Sequence, residues 1–147
     1  MDYICYFDGS CGPINPGGVI GIGTVIYKVY GHYKEIIREK SGYIEADIFN
    51  SNNMAEYMAL IDILEWFDYK EIKDKNIKIY GDSKMVINQM KGRWRIGEGM
   101  YNQVAQEAQD LLLITDNKLH FKWVPREQNT EADKLSKHKL NKELCQV

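Results

Sequence analysis

Residues 3–9 read YICYFDG, an apolar run of aromatic and β-branched side chains that stops at Asp8. This composition predicts a short buried strand that ends at Asp8. Residues 76–83, NIKIYGDS, show the same arrangement later in the chain, because Asp82 and Ser83 directly follow another apolar strand pattern. In sheets that alternate with helices, functional side chains collect where strands end and helices begin. The two stretches therefore predict a sheet with carboxylates gathered at one edge.

The sequence between these strands predicts a loop, a hairpin and a long helix. Residues 11–18 are rich in Gly and Pro and predict a loop. Residues 19–30 predict a strand, which the Gly31-His32 turn joins to a partner strand ending near residue 44. A helix is predicted over residues 53–69, capped by Asn52-Asn53. Its apolar stripe consists of Met54, Met58, Ile61 and Leu64, widened by Leu60, Ile63 and Phe67.

The second half of the chain alternates helices with one more strand. Asp82-Ser83 is predicted to cap a short helix that ends near Met90, and residues 99–114 form another helical pattern. Residues 119–124 alternate as a strand before Pro125, and a last helix begins at Asn129-Thr130 and ends near residue 140. This order predicts an α/β fold with a five-stranded mixed sheet and helices on both faces. Because no repeat or linker divides the chain, we expect one domain over residues 1–147.

The composition is that of a soluble protein without targeting segments. Of the 147 residues, 44% are hydrophobic and 27% are charged. No stretch reaches the roughly 18 apolar residues of a membrane span, and the N-terminus lacks the basic region of a secretory signal. The three cysteines are odd in number and lack zinc-site spacing. These features predict a cytoplasmic protein without membrane contact, and we expect a monomer.

Charge and metal-ligand types limit the possible chemistry further. The net charge is −2, so a basic excess does not mark a nucleic-acid partner. Only three histidines occur, and they are scattered. A bound metal would therefore be held by oxygen, which favours a hard ion such as Mg²⁺ or Mn²⁺. Four carboxylates at one site would repel one another unless cations lay between them. The candidates are Asp8, Glu56, Asp82 and Asp133.

Five short motifs occur in order along nearly the whole chain, from about residue 1 to residue 140. They are Asp8-Gly9-Ser10, Asn15-Pro16-Gly17-Gly18, Asn52-Asn53-Met54-Ala55-Glu56, Gly81-Asp82-Ser83 and Ala132-Asp133-Lys134-Leu135-Ser136. Each motif alone is weak, but the ordered set resembles the type 1 ribonuclease H family. The resemblance implies a ribonuclease H-like fold and an endonuclease that cuts the RNA strand of RNA/DNA hybrids, leaving 5′-phosphate and 3′-hydroxyl ends.

The resemblance also implies roles for the four carboxylates. Two Mg²⁺ ions, with Mn²⁺ as a possible substitute, would be bound, and Asp8 would bridge them. Glu56 and Asp82 would hold the ion nearer the attacking water, and Asp133 would complete the shell of the second ion. All four would thus be both metal ligands and catalytic residues.

Substrate contacts follow from the same resemblance. Asn52 and Asn53 match residues that touch the hybrid beside the scissile phosphate, whereas Ser51 and Asn88 lie where the family grips a phosphate of the DNA strand. Trp94, between Arg93 and Arg95, offers an aromatic surface amid cations for a sugar–phosphate backbone. The expected substrate-binding residues are Gly9, Ser10, Asn15, Ser51, Asn52, Asn53, Ser83, Asn88 and Trp94.

The sequence departs from the family pattern in two places. Many members carry a histidine in a glycine-rich loop before the last aspartate, but residues 124–132 contain none. Arg126 is the candidate replacement as a catalytic residue, since a permanent cation could contact the scissile phosphate or the product. This short Arg-Glu-x-Asn loop resembles a subset of archaeal and bacterial members. A long basic protrusion after Trp94 is also missing, so we expect weaker and less processive binding of the hybrid.

Other interpretations remain open from the sequence alone. Asp8 could be a turn residue, Asp82-Ser83 only a helix cap, and Glu56 or Asp133 a solvated helix carboxylate. A different nuclease on the same fold would cut duplex DNA, and a catalytically silent module would bind hybrid without cutting it. The chain could also be a domain of a reverse transcriptase, although Met1 and complete elements at both ends favour an independent product.

Overall fold

A computed structural model describes the backbone of residues 1–145 and the side chains of residues 1–138. Five strands form one mixed sheet in the order β3-β2-β1-β4-β5. β1 pairs antiparallel with β2 and parallel with β4, so that it lies at the centre of the sheet. The strands are β1 (Tyr3–Gly12), β2 (Val19–Tyr30), β3 (Tyr33–Ile44), β4 (Asn76–Gly81) and β5 (Lys118–Trp123). The predicted α/β fold is confirmed.

Helices cover both faces of this sheet. They are α1 (Asn52–Tyr69), α2 (Lys84–Met90), α3 (Asn102–Ile114) and α4 (Thr130–Cys145), with a 3₁₀ turn at Arg126–Gln128. α1 packs on one face, where Phe7 and Tyr57 are fully buried. α4 packs on the other face, directly on the backbone of β2. A Cβ at Gly23 would overlap the carbonyl oxygen of Ala132, and one at Gly21 would overlap that of Ser136. Two glycines thus let α4 approach the strand that pairs with β1.

The first strand is longer than its apolar run predicted. β1 continues to Gly12, so the prediction that it ends at Asp8 is wrong, and the loop begins only at Pro13. The reason is that β1 keeps pairing with β2 as far as Gly12, whereas its pairing with β4 stops at Phe7. Asp8 is therefore the first residue beyond the edge of β4. It lies within β1, at the point where the pairing with β4 has ended.

Two helix starts also differ from the prediction. The cap of α1 is Ser51, whose hydroxyl accepts from the amide of Met54 at 3.1 Å, and not Asn52-Asn53. α3 begins at Asn102 and not at residue 99, because Gly97 and Gly99 favour a turn over a helix. β5 lies one residue earlier than predicted, and α4 continues five residues beyond residue 140. The two hairpin strands, β4 and the short helix after Ser83 have the predicted bounds.

The buried face of α1 is centred on the residues that were predicted to widen its apolar stripe. Leu60, Ile63 and Phe67 are buried, whereas Met54 and Met58 are only half-buried. α1 contacts both the sheet and α3, and this requires a broader apolar face than one stripe provides. Within the described residues, the helices are too short or too polar to cross a membrane. The single-domain organisation and the monomeric state stay predictions.

Candidate active site

Three carboxylates from three different elements converge at one end of the sheet. One oxygen atom from each of Asp8, Glu56 and Asp82 lies within 4.8 Å of the other two. Asp8 comes from β1, Glu56 from the beginning of α1, and Asp82 from the residue after β4. Asp8 and Glu56 are 4% and 8% exposed, so both side chains are largely removed from water. The structure thus brings together three of the four predicted carboxylates.

A close approach of α1 to β1 places Glu56 beside Asp8. A Cβ at Gly9 would overlap the backbone of Ala55, so a side chain at this position would push the start of α1 away from the strand. Gly9, which the sequence placed among the substrate contacts, therefore acts on the geometry of the carboxylates. The backbone of Gly9 also acts to lower the pKa of Glu56, although the net effect of the surroundings is to raise it.

Polar side chains fix the start of α1 at this point. The amide of Asn52 donates to Oδ1 of Asn15 at 3.0 Å, and Oδ1 of Asn52 accepts from the amide of Cys11 at 2.8 Å. Ser51 caps the helix. Asn15, Ser51 and Asn52 were all predicted to contact substrate. In the structure their side-chain oxygens fix the start of α1 relative to β1 and to the loop that follows β1. Asn53 is exposed beside them.

Asp82 is held by Asn129, the last residue of the Arg-Glu-x-Asn loop. Asn129 is 1% exposed, and its side-chain amide donates to the carbonyl oxygen of Phe7 at 2.9 Å and to Oδ2 of Asp82 at 3.3 Å. The indole of Trp123 donates to the carbonyl oxygen of Asp82 at 3.0 Å. In the sequence, Asn129 stands at the end of the Arg-Glu-x-Asn loop and directly before the last helix, and neither position indicates a contact across the sheet.

Asp133 lies at the rim of the cluster. It is in the first turn of α4, and its side chain is 24% exposed. Asp133 lies close enough to Asp8 for each carboxyl group to affect the pKa of the other. Ser136 links the two residues, since its hydroxyl lies 2.7 Å from the carbonyl oxygen of Asp133 and 3.4 Å from Oδ2 of Asp8. Asp133 is not within 4.8 Å of all three other carboxylates, so it extends the cluster on one side only.

Cations surround Asp133. Nζ of Lys137 lies 3.2 Å and a guanidinium nitrogen of Arg126 lies 3.4 Å from its Oδ1. Burial disfavours the charged form of Asp133, but the neighbouring side chain of Asp8 and the positive charges of Lys137 and Arg126 lower its pKa. The side chain of Arg126 is 68% exposed, so the guanidinium stays accessible from solvent.

Burial raises the pKa of the inner carboxylates. Burial is the main cause for Asp8, and with the charges of Asp82 and Asp133 it raises the pKa of Asp8 to about 7. The pKa of Glu56 is raised well above its ordinary value by burial and by the charge of Asp8. Burial also raises the pKa of Asp82, although the hydrogen bond from Asn129 and the charge of Arg126 act in the opposite direction. Without added positive charge, these three carboxyl groups therefore hold their protons to higher pH than ordinary carboxyl groups do.

The donor set fits a divalent cation. Oε2 of Glu56 is buried and has no hydrogen-bond partner among the described residues. The cluster offers only carboxylate oxygens, which are ligands suited to Mg²⁺ and Mn²⁺. A cation among these groups would satisfy the orphaned oxygen and remove the repulsion that raises the pKa values.

Comparisons with known proteins agree with this geometry. A family model described as reverse transcriptase-like matches residues 7–139. LC11-RNase H1, solved in complex with an RNA/DNA hybrid, is 30% identical with a TM-score of 0.83; the match covers 97% of this chain and 99% of that one. RNase H1 from the halophilic archaeon Halobacterium salinarum is 31% identical with a TM-score of 0.78, covering 95% and 98% of the two chains. The chain belongs to the type 1 ribonuclease H family.

A curated relative extends beyond this ribonuclease H chain. The uncharacterized protein YpeP of Bacillus subtilis is 28% identical over 145 residues, which cover 99% of this chain and 62% of YpeP. The chain thus spans less than two thirds of that relative. The resemblance and the fold inferred from the five motifs are confirmed, whereas the assignment to a subset with a short Arg-Glu-x-Asn loop stays a prediction.

Asp8, Glu56 and Asp82 line an open cleft. Its volume is about 330 Å³, and its lining contains the predicted residues Gly9, Ser10, Asn52, Asn53, Ser83 and Arg126 beside the three carboxylates. The hydroxyl of Ser10 is buried without a hydrogen-bond partner among the described residues. Ser83 caps α2, since its hydroxyl accepts from the amide of Val86 at 3.2 Å.

Four predicted substrate residues lie outside the lining of this cleft: Asn15 and Ser51 beside the start of α1, and Asn88 and Trp94 near the end of α2. The side chain of Asn88 donates to the carbonyl oxygen of Lys84 at 2.8 Å. The carbonyl oxygen of Asn88 accepts from the amides of Arg93 and Trp94 at 2.9 and 3.2 Å, which folds the following segment back onto α2. Trp94 is 51% exposed. Asn88 and Trp94 therefore belong to a separate surface at the end of α2.

A buried polar network ties that surface to α1. The hydroxyl of Tyr57 donates to Oε1 of Gln89, and Nε2 of Gln89 donates to the carbonyl oxygen of Arg95 and to the hydroxyl of Tyr101, both at 3.1 Å. The rings of Tyr57 and Tyr101 stack with centroids 6.0 Å apart. Because Tyr57 follows Glu56, the network links the helix that carries Glu56 to the segment that carries Trp94. The sequence reasoning missed it, because its members are far apart in the chain.

Proposed function

We propose that the chain is an endoribonuclease that hydrolyses the RNA strand of RNA/DNA hybrids. The observation that carries this proposal is the convergence of three carboxylates from β1, α1 and the end of β4 within 4.8 Å. A structural role does not account for it, because these groups destabilise the fold when they are charged and without cations. A silent binding module would not need such a cluster facing phosphates.

Asp8, Glu56, Asp82 and Asp133 are the proposed ligands of two divalent cations, Mg²⁺ or Mn²⁺. When bound, such a pair activates a water and neutralises the charge on the phosphate and on the leaving oxygen. Asn129 orients Asp82, and Ser136 orients Asp8, each through a hydrogen bond to one carboxylate oxygen. These contacts leave the other oxygen of each carboxylate free to face the cleft. The proposed products carry 5′-phosphate and 3′-hydroxyl ends.

Arg126 is the proposed cation for the scissile phosphate or the released product. It lines the cleft and is held 3.4 Å from Asp133 while most of its side chain stays exposed. An exposed guanidinium can form two hydrogen bonds to a phosphate. Because arginine stays protonated, Arg126 can bind and orient but cannot transfer a proton as histidine does.

Strand recognition is proposed to lie on the two sides of the cleft. Asn52 and Asn53 border the carboxylates and would contact the RNA, whose 2′-hydroxyl identifies the strand to be cut. Trp94 and its neighbouring arginines would contact the sugar–phosphate backbone of the DNA strand. LC11-RNase H1, solved with an RNA/DNA hybrid, supports the choice of hybrid as substrate.

A cleavage assay tests the proposal. The protein is incubated with an end-labelled RNA/DNA hybrid, a matched DNA duplex and a matched RNA duplex, each with Mg²⁺, Mn²⁺ or a chelator. We expect cutting of RNA in the hybrid only, and only with a divalent ion. Asp8→Asn should abolish it, whereas Asp110→Asn, at an exposed position on α3, is the matched control and should cut normally.

Other outcomes have definite meanings. Cutting of duplex DNA would assign the chain to another nuclease class on this fold. Binding of the hybrid without cutting in either ion would show a silent module. Cutting that continues in the chelator would remove the metal-site assignment.

A further inference from the structure

α4 covers only part of its face of the sheet. It packs on the sheet near the carboxylates, at Gly21, Gly23 and Ser41, and its first residues, Thr130 and Glu131, border Tyr6 and Tyr27. Farther along the same face, paired positions place Tyr6, Tyr80 and Lys122 in one row across β1, β4 and β5. The neighbouring row contains Ile4, Lys78 and His120, and Tyr27 pairs with Ile4 from β2. Together with Lys34, these residues form the surface that we name the open face.

Tyrosines form the centre of the open face. The rings of Tyr6 and Tyr80 stack with centroids 5.0 Å apart, and Tyr27 contacts Tyr6 edge to face at 6.0 Å. All three are half-buried, so each phenol keeps part of its surface in solvent. Three aromatic rings on an otherwise polar sheet surface are a platform for planar ligands or for sugar rings.

Lysines surround this aromatic centre. Nζ of Lys34 lies 4.3 Å from the ring centroid of Tyr27 and 5.9 Å from that of Tyr6, and Nζ of Lys78 lies 5.4 Å from that of Tyr80. Lys34 and Lys122 are exposed. None of these three lysines forms an ion pair with a carboxylate of residues 1–138. The charges are thus available to an anionic partner.

Acidic residues lie on one side of the open face. Glu131 and Glu39 act on the pKa of Tyr27, so they lie near the β2 and β3 side. Lys78 and Lys122, on β4 and β5, thus lie on the side of the open face away from these acids.

The open face continues around the edge of the sheet toward the proposed hybrid-binding surface. His120 is exposed on the edge strand β5 and also lines a cleft of about 590 Å³ whose other basic side chains are Lys91 and Arg93. Arg93 directly precedes Trp94. A row of basic side chains thus leads from Trp94, over β5, to Lys122 and Lys78. One flexible nucleic-acid strand could contact both surfaces.

We propose that the open face binds a single-stranded segment of nucleic acid, such as an unpaired extension of the hybrid. The lysines would contact phosphates, and the tyrosines would contact bases or sugars. The choice of nucleic acid as the occupant rests on the proposed function. A single strand fits better than a duplex, because a single strand can follow the curved sheet and present bases to the rings.

Binding of single-stranded RNA and DNA 12-mers, measured by fluorescence anisotropy in chelator, tests the proposal. The variant carries Lys34→Gln, Lys78→Gln and Lys122→Gln. We expect its affinity to fall by about tenfold at low salt, since three surface charge contacts are lost. The slope of log affinity against log salt should become shallower by about 2, because each phosphate contact on a single strand contributes roughly 0.7.

The matched control carries Lys70→Gln, Lys73→Gln and Lys75→Gln, which are exposed lysines outside the open face. It has the same change in net charge, so it should keep wild-type affinity if the open face is the site. Equal binding by both triple variants and the wild type, or an equal loss in both, would overturn the proposal. The anisotropy assay needs no cleavage, so a protein that fails to cut hybrid can still show the loss of single-strand binding.

A second measurement uses cleavage. The wild type should have a lower KM for a hybrid with a 12-nucleotide single-stranded tail than for the same hybrid with blunt ends. In the open-face variant this difference should disappear, while the kcat for blunt hybrid stays unchanged. A tail effect that persists in the variant would contradict the proposal.

Discussion

Asn129 joins the last helix to Asp82 and to β1 at the same time. Its side-chain amide donates to Oδ2 of Asp82 at 3.3 Å and to the carbonyl oxygen of Phe7 at 2.9 Å. Phe7 directly precedes Asp8, so one buried carboxamide fixes the spacing between two of the proposed metal ligands. Asn129 is thus a positioning residue, because it acts on the ligands and does not itself reach the cleft lining.

Replacing Asn129 should weaken metal binding more than it weakens the fold. We expect Asn129→Ala to lower the apparent affinity for Mg²⁺ in the cleavage reaction by about 10- to 100-fold, as for other residues that orient metal ligands. It should also cost about 1–3 kcal/mol of stability, because the carbonyl oxygen of Phe7 loses its buried donor. Cleavage rates over a Mg²⁺ series and urea unfolding in chelator measure the two effects.

Asn117→Ala provides the matched control for that experiment. The side chain of Asn117 donates to the carbonyl oxygen of Ile72 at 2.8 Å and accepts from the amide of Lys75 at 3.0 Å, far from the carboxylates. This variant should lose stability but keep the Mg²⁺ dependence. An equal change in Mg²⁺ dependence in both variants would reduce Asn129 to a purely structural residue.

Local sequence patterns predicted the elements but not the contacts between them. The strands and helices follow from apolar periodicity and turn residues, which act within a few positions of one another. Asn129 contacts Phe7, which is 122 positions away, and Tyr57 contacts Gln89, which is 32 positions away. In the sequence, a polar residue that makes such a contact has the same local pattern as a helix cap or a surface residue.

The site itself was predicted in part, for a related reason. The ordered motifs identified Asp8, Glu56 and Asp82, because they carry the resemblance to a family. The resemblance also placed Asn15 and Ser51 among the substrate contacts, which stay predictions, and in the structure their side chains fix the start of α1. The apolar run gave the wrong end for β1, because pairing with β2 continues through residues that are not apolar. The motifs thus predicted which carboxylates lie together, but only the structure shows which side chains hydrogen-bond to which partners.

Neutralising Asp8 should abolish cleavage while stabilising the metal-free protein. Asp8→Asn removes a proposed bridging ligand and also removes a negative charge near the phosphate. Hybrid binding should therefore be kept or improved. In chelator at pH 8 the variant should unfold at higher urea concentration than the wild type, because burial and the neighbouring acids raise the pKa of Asp8 to about 7. Lower stability of Asp8→Asn than of the wild type under these conditions would argue against repulsion between Asp8 and the neighbouring carboxylates.

The metal-free protein should lose stability as the pH rises from about 4 to about 7. An acid whose pKa is raised on folding binds its proton more tightly in the folded state, so its contribution is largest below the unfolded pKa and is lost as the pH approaches the folded pKa. For Asp8 this window runs from 3.8 to about 7. Asp62 acts oppositely. Burial disfavours its charge, but Arg38 and Lys40 lower its pKa, so its contribution is lost only as the pH falls below the ordinary range.

Divalent ions should reverse this loss. Because ions bind the deprotonated carboxylates, 10 mM Mg²⁺ should raise the urea midpoint more at pH 8 than at pH 5. Urea unfolding at several pH values, with Mg²⁺ or chelator, measures the effect. If Mg²⁺ stabilised the protein equally at both pH values, the cluster would not be its binding site.

Arg126 should affect turnover more than it affects binding. Its guanidinium lines the cleft and lies 3.4 Å from Asp133. Arg126→Ala removes a charge that faces the proposed phosphate position, so kcat should fall by about tenfold or more while KM changes less. Arg126→Lys should recover part of the rate, since it restores the charge but not the planar geometry. An unchanged kcat in Arg126→Ala would leave Arg126 as an ordinary loop residue.

The Tyr57–Gln89–Tyr101 network should control hybrid binding through the segment that carries Trp94. Gln89→Leu keeps the approximate volume but removes the hydrogen bonds to Arg95 and Tyr101, so this segment should become more mobile. We expect KM for the hybrid to rise several-fold while kcat at saturation changes little, because the carboxylates are not touched. Faster amide hydrogen exchange over residues 91–101, without faster exchange in β1 or α1, would locate the effect in this segment.

The Asn117→Ala variant again serves as the control, and an equal rise of KM in both variants would show a general loss of stability. A fall of kcat without any rise of KM would place Gln89 in the support of Glu56 and not of Trp94.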